Sequence, residues 1–216
     1  IKEFLKGSTL ENAPVIPTSA NVGGNINALL QAIQEKIPSP EKNLEASPKF
    51  FVARSFDINK PGTDFNKLRG GVLGGSVVDG KFTKGMEIAI LPGALQQNAK
   101  GKESYEPLTT KITALHAFGQ EVAEAHAGGL IAIGTSLDPA LTKGDSLVGC
   151  VVGEKNAMPP VHSELKIEAK PLARVLESFT AGFQPNEPLV IGVGTNTTVG
   201  FVMPGKQKKG VIQLLL

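Results

Sequence analysis

Arg54-Ser-Phe-Asp-Ile-Asn-Lys-Pro-Gly62 and, after a short polar loop, Gly70-Gly-Val-Leu-Gly-Gly-Ser-Val-Val-Asp-Gly80 decide the fold. The first is a β-strand running into a Lys-Pro-Gly turn. The second is a glycine-dense strand ending at a tight Asp-Gly hairpin corner. Working outward, short apolar segments recur at 50–57, 71–78, 86–91, 111–118, 129–134 and 146–152, separated by Gly, Pro, Asp and Asn. Six strands of this length predict a closed β-barrel, which removes exposed sheet edges. The longest interruption, Pro92–Pro107, carries Gln96, Gln97, Asn98, Lys100, Lys102, Glu103 and Glu106, so it reads as a mobile surface loop. Beyond Pro159-Pro160, candidates at 164–169, 188–193, 197–203 and 210–216 predict a second β unit that is cut short, since four strands leave an unpaired edge.

Toward the N-terminus, Pro14–Thr18 is a short β-like run, and Ile26, Leu29, Leu30, Ile33 and Ile37 fall on one face at helical spacing. A helix is expected over 26–37, with Asn25 as its N-cap and Pro38 and Pro40 ending it. Residues 38–48, polar and interrupted by three prolines, read as a semi-rigid linker at a domain boundary.

The 22 Lys and Arg against 20 Asp and Glu give a net charge of +2, so any nucleic-acid contact must rest on local patches. A single cysteine, Cys150, excludes an internal disulfide, and its apolar neighbours make it a small core residue in a reducing, cytosolic compartment. No apolar run approaches the length of a membrane span, which excludes a membrane-embedded helix. His116, His126 and His162 lack metal-ligand spacing, so no metal site is expected. Lys206, Lys208 and Lys209 form a basic hairpin tip that reads as a solvated turn. The non-Met start and a last strand without a closing turn read as an internal fragment of something longer.

Arg54-Ser-Phe-Asp-Ile-Asn-Lys-Pro-Gly62, with Gly70–Gly93 behind it, resembles the second domain of the gamma-subunit family of translation initiation factor 2, related to elongation factor Tu. The resemblance implies two consecutive β-barrels preceded by a strand-helix remnant of an α/β GTPase domain: residues 1–46 as that remnant plus linker, 47–155 as domain two, and 156–216 as a truncated domain three. It implies a parent that binds GTP and Mg²⁺ and carries methionyl initiator tRNA to the small ribosomal subunit in the cytoplasm. There it would assemble with an alpha subunit through domain-two loops and a beta subunit through the GTPase domain.

Pro17-Thr-Ser-Ala-Asn21 resembles that family's guanine-contacting motif, which makes Ser19 and Ala20 nucleotide-binding candidates. No Gly-x-x-x-x-Gly-Lys-[Ser/Thr] phosphate loop, Asn-Lys-x-Asp motif or metal-switch motif occurs, so no catalytic residue and no cofactor is expected in this chain. The glycines of 70–93 lie inside and between strands, where they serve barrel geometry rather than phosphate binding.

Ala127–Asp138 resembles a strand that lines the pocket for the terminal adenosine and its esterified amino acid in related elongation factors. The arginine that those factors place near this strand has no counterpart beside Gly134 and Thr135. Arg54 and Phe56 share a strand face, with Ser55 opposite. Together with Gly128, Gly129, Leu130, Ile131, Ile133 and Thr135 they are the candidate acceptor-end residues, the arginine for phosphate or carbonyl and the aliphatics for adenine or methionine. The alternative is an elongation-factor-like GTPase such as the selenocysteine-specific carrier.

Overall fold

The strands follow one another with glycine, proline and Asx turns between them, and the architecture is mostly β. The structure, a computed structural model, describes residues 1–39, 41–97, 101, 103–169, 182–204 and 211–216. The chain separates into two units, Ile1–Glu41 with Glu168–Gln184 and Lys42–Ile167 with Pro185–Leu216.

In the first unit a short helix α1 (Lys2–Leu5) precedes α2 (Ile26–Lys36), the helix expected from the apolar periodicity. Asn25 sits at its N-terminus in a left-handed conformation, φ 58°, and makes no capping bond. Its Nδ2 donates instead to the Pro17 carbonyl at 2.9 Å, so it fastens the preceding turn rather than the helix. Residues 14–18 form no strand. Pro14 and Pro17 have no N–H for a ladder, and the local pairing is an isolated Ser19–Gly24 bridge.

The second unit holds β1 (Lys49–Phe56), β2 (Val72–Asp79), β3 (Lys81–Thr83), β4 (Glu87–Gln97), β5 (Glu103–Ala117), β6 (Gln120–Glu121), β7 (Glu124–His126), β8 (Ile131–Thr135) and β9 (Val151–Glu154). Strands pair in the order β4-β9-β1-β2-β8-β5, and a further β4–β5 pairing closes the ring into a six-stranded antiparallel barrel. Its interior is filled by Phe50, Val52, Leu73, Ile88, Ile90 and Ile133 among others, with Phe50 and Phe82 edge to face at 6.3 Å. Cys150 belongs to this core, and burial pushes its thiol pKa up.

Two expectations change. Of the Pro92–Pro107 segment, residues 92–97 and 103–107 are strand rather than loop: β4 and β5 continue as a two-stranded ribbon, pairing Ala94 with Glu106 out to Gln97 with Glu103, past a bulge between Ile90 and Ala94, while residues 98–100 and 102 lie outside the described residues. Backbone ladder bonds and cross-strand pairs such as Leu95–Tyr105 order a polar segment that has little to bury. Asp79-Gly80 is a turn but not a hairpin corner, because β3 leaves β2 and pairs with β7, while β2 lies between β1 and β8.

Following the barrel, β10 (Glu164–Glu168), β11 (Pro188–Val193), β12 (Asn196–Val202) and β13 (Val211–Leu215) form a sheet in the order β10-β13-β12-β11. Among the described residues this second β unit is an open four-stranded sheet. Lys206, Lys208 and Lys209 lie outside the described residues.

Candidate nucleic-acid interface

Strand β1 starts with Phe50 and Val52 pointing into the barrel, and strict alternation would send Arg54 inward after them. A register shift between Val52 and Arg54 prevents this: Val52 pairs with Gly75, and Arg54 with Gly74. Ser55 is thereby the buried residue, 1 % exposed, while Arg54 and Phe56 face outward together. The bulge is what makes these two side chains available.

In β8 the inward positions are Ile131, Ile133 and Thr135, and the outward ones are Ala132 and Gly134. Ile133 is core, and Thr135 donates its hydroxyl to the Gly71 carbonyl at 2.7 Å and accepts the Leu137 N–H at 3.2 Å. Of the candidates on this segment, Leu130 is the one that projects outward, 76 % exposed. Gly128 and Gly129 form the turn before the strand with φ 128° and 92°.

Register carries Arg54, Gly74, Ala132 and His116 into one outward row across β1, β2, β8 and β5. Two adjoining clefts flank this row. The smaller, about 320 Å³, lies among Arg54, Phe56, Gly74, Phe118, Leu130 and Ala132. The larger, about 860 Å³, has a floor of Ala114, Ala132 and Gly134, with Ile58, Leu68 and Arg69 on one side and Lys84, His116 and Glu121 on the other. Small floor residues let a ligand reach the backbone.

Arg54 is already partly committed, because its Nε donates to Asp145 Oδ1 at 2.9 Å and no described residue accepts from its Nη groups. The Arg54 hydrogen bond holds the Asp145 carboxyl below its usual range, helped by the Ser55 N–H. Lys84 bonds Glu121 at 3.0 Å and likewise lowers that carboxyl. Arg69 has no carboxylate partner among the described residues, but its backbone is clamped by Asn59. The Asn59 amide donates to the Arg69 carbonyl at 2.7 Å and accepts the Arg69 N–H at 2.8 Å. Arg69, His116, Phe118 and Asp145 were not foreseen as site residues. The signal for Phe118 is an aromatic at the end of the 111–118 run, directly before Gly119.

Residues 70–153 match the family model described as elongation factor Tu domain 2. Translation initiation factor 2 subunit gamma of Pyrococcus furiosus is 50 % identical over 206 residues, 94 % of this chain and 50 % of the relative. That of Methanocaldococcus jannaschii is 46 % identical over 220 residues, all of this chain and 53 % of the relative. The chain is homologous to the gamma subunit of translation initiation factor 2. It spans about half the length of the curated gamma-subunit relatives it matches. The fold is shared with translation elongation factor SelB from Methanococcus maripaludis, TM-score 0.67 at 19 % identity over 93 % of this chain and 39 % of that one. It is shared too with a bacterial selenocysteine-specific elongation factor, TM-score 0.71 at 20 % identity over 99 % of this chain and 30 % of that one.

The gamma-subunit homology directs attention to Ser19 and Ala20 in the first unit. Ser19 and Gly24 exchange backbone bonds at 3.0 and 2.9 Å, and the Ala20 N–H donates to no described residue. That leaves the Ala20 N–H as an open donor on this turn. Among the described residues no group of three His, Cys, Asp or Glu side chains is placed to hold a metal ion, and the sequence has no phosphate loop. The residues present therefore do not fit a complete GTP–Mg²⁺ site. No helix among the described residues is long and apolar enough to cross a membrane.

Proposed function

We propose that this chain is the acceptor-end-binding and partner-docking portion of a cytoplasmic translation initiation factor 2 gamma subunit. Its parent is a GTPase that carries methionyl initiator tRNA to the small ribosomal subunit. Residues 1–46 are the end of its GTPase domain, 47–155 its second domain and 156–216 part of its third. The observation that carries the reading is the outward row Arg54–Gly74–Ala132–His116, a cation and a small-residue floor beside apolar lips, on a chain homologous to gamma subunits. The open Nη groups of Arg54 suit phosphate or carbonyl oxygens, and Phe56 and Leu130 suit a base or a methionine side chain. GTP and Mg²⁺ belong to the parent's remaining domain, with Ala20 supplying one guanine contact, and the beta subunit docks on that same domain.

The alpha subunit docks on barrel two through two projections, the β4–β5 ribbon beyond Gly93 and the Asn59–Leu68 loop. The loop's base is fixed by Asn59, and its Phe65 stands in solvent. The loop's Phe65 and the ribbon's Leu95 and Tyr105 are exposed on backbone already held by hydrogen bonds, which suits docking because little conformational entropy is lost on binding. Replacing both with short glycine linkers should abolish a pull-down of the alpha subunit, and unchanged capture would refute the assignment.

Filling the floor of the cleft tests the tRNA reading. Ala132→Ile in the complete subunit keeps a residue suited to strands while placing bulk outward, so methionyl initiator tRNA should bind about tenfold more weakly, a loss of ~1.4 kcal/mol. GTP affinity should be unchanged. Equal affinity for charged and uncharged tRNA in wild type and variant alike would refute the pocket. Preference for selenocysteinyl-tRNA over methionyl initiator tRNA would favour the selenocysteine-specific carrier instead. The 50 % identity to gamma subunits, against 19 % to the SelB structure, favours initiation.

A further inference from the structure

Ala117 pairs with Gln120 across a two-residue corner in which Phe118 has φ 52° and Gly119 φ 78°. Both central residues are left-handed, as a two-residue hairpin of this hand requires, and Asn or Asp is the residue that suits the first position. A bulky aromatic there is strained. Burial does not compensate for it, because the Phe118 side chain is 87 % exposed. A backbone held in an unfavourable conformation to expose an apolar ring needs an explanation outside the barrel's own packing.

The ring's surroundings supply one. Phe118 lines the 320 Å³ cleft with Leu130 and Phe56, opposite Arg54. It lies beside Gly129, where an added Cβ would meet the ring at 3.3 Å. Lys42 brings its ammonium to 3.3 Å from the Cβ position of neighbouring Gly128, and it forms no ion pair among the described residues. An exposed aromatic face, an aliphatic second lip, and two cations flanking them match an unpaired nucleotide: ring to base, Arg54 and Lys42 to phosphates. Lys42 has no counter-charge among the described residues and the Nη groups of Arg54 have no acceptor, and the phosphates on either side of a stacked base supply both.

We infer that Phe118 is the stacking platform for an unpaired base at the 3′ end of RNA, held in the left-handed corner so that its ring faces the cleft, with Lys42 as a phosphate contact. The inference rests on the acceptor-end reading and adds to it the residue that holds the base.

The chain contains no tryptophan, so Phe118→Trp creates a single fluorescent reporter on the platform itself. Titration with the trinucleotide CpCpA, and with its analogue carrying methionine in a stable 3′ amide, should quench that fluorescence saturably. Phe118→Asn creates the Asn-Gly pair favoured for this corner, so the variant should melt about 2–4 °C higher than wild type. It should bind CpCpA about tenfold or more weakly, as expected for the loss of one base–aromatic stack. Lys42→Ala should flatten the salt dependence of binding by about 0.7 in log–log slope. Unquenched Phe118→Trp, or equal CpCpA affinity of Phe118→Asn and wild type, overturns the inference. Amide resonances separate it from the broader reading. If CpCpA shifts those of Arg54 and Ala132 equally in wild type and Phe118→Asn, the cleft binds RNA without the platform. If none shifts in wild type, the acceptor-end reading falls and the platform with it.

Discussion

Arg54 donates its Nε to Asp145 Oδ1 at 2.9 Å, and the same oxygen accepts the N–H of Ser55 at 3.0 Å. One carboxylate thus fixes a side chain that faces solvent and the backbone of its inward-facing neighbour. Asp145 reaches both from a left-handed position, φ 61°, which asparagine tolerates equally well.

Asp145→Asn therefore isolates the charge. The Asp145 pKa is lowered in the folded protein, so its stabilising contribution is complete above the unfolded Asp value of about 3.9 and is lost as pH falls through the lower folded value. Melting curves of wild type and Asp145→Asn should differ at neutral pH, with the variant lower. The two should converge in acid. A gap that stays constant down to about pH 2 would mean that the carboxylate's charge contributes nothing.

Ser55→Ala tests the buried side of the same strand. The Ser55 hydroxyl accepts the N–H of Leu147 at 3.1 Å, inside the barrel wall. Its removal leaves that donor buried and unpaired, at a cost of about 1–3 kcal/mol. Urea unfolding should register this as a lower midpoint with an unchanged slope. Phe65→Ala, on a tip in solvent, should change stability by less than about 0.5 kcal/mol.

Segments whose signal is local were legible in the sequence. The helix at 26–37 ends within a residue of its expected limit because its apolar period and the prolines behind it act locally, and five of the six barrel strands overlap most of the apolar runs that mark them; β9 (Val151–Glu154) shares only Val151 and Val152 with the 146–152 run, whose earlier residues form a turn. The bulge that turns Arg54 outward left no mark in composition, since it depends on how β1 registers against Gly74 and Gly75. Ile133 and Thr135 looked like pocket residues because the sequence gives the period of a strand but not which of its faces is inside. The strand at 92–97 and 103–107 is not visible in the sequence because polarity argues against burial, whereas a ribbon is held by its backbone ladder without being buried. The Asn59–Arg69 clamp and the Arg54–Asp145 pair join residues too distant in sequence for any short-range pattern to reveal.

The ribbon makes a paired prediction. Gly93 sits at its base with φ 98°, and an added Cβ would run into the Glu106 carbonyl. Gly93→Ala should destabilise the barrel by about 1–3 kcal/mol through backbone conformation alone, even before the clash is relieved. Replacing residues 98–102 by Asn-Gly, a turn that suits the Gln97–Glu103 pair, should leave stability within about 0.5 kcal/mol of wild type. Chemical denaturation of the two variants separates a strand junction from a dispensable tip. Equal tolerance of both would return the segment to a loop.

Nucleotide binding divides along the chain's own inventory. The turn Ser19–Gly24 closes on itself through two backbone bonds and leaves the Ala20 N–H without an acceptor among the described residues, the single donor that the proposed reading assigns to a guanine carbonyl. One neutral hydrogen bond contributes a net ~0.5–1.5 kcal/mol. Micromolar binding needs about 8 kcal/mol. The difference must come from phosphate-cradling amides, a lysine and a metal, for which this sequence has no motif. Calorimetric titration of the chain with GTP and Mg²⁺ should give no binding heat up to millimolar nucleotide, and Ala20→Pro, which removes the donor, should be indistinguishable from wild type. In the complete gamma subunit the same substitution should weaken GTP several-fold. It should also reduce discrimination against ATP, whose amino group cannot accept that bond. A micromolar dissociation constant for the chain alone would place a phosphate site in residues that carry no sequence signature for one.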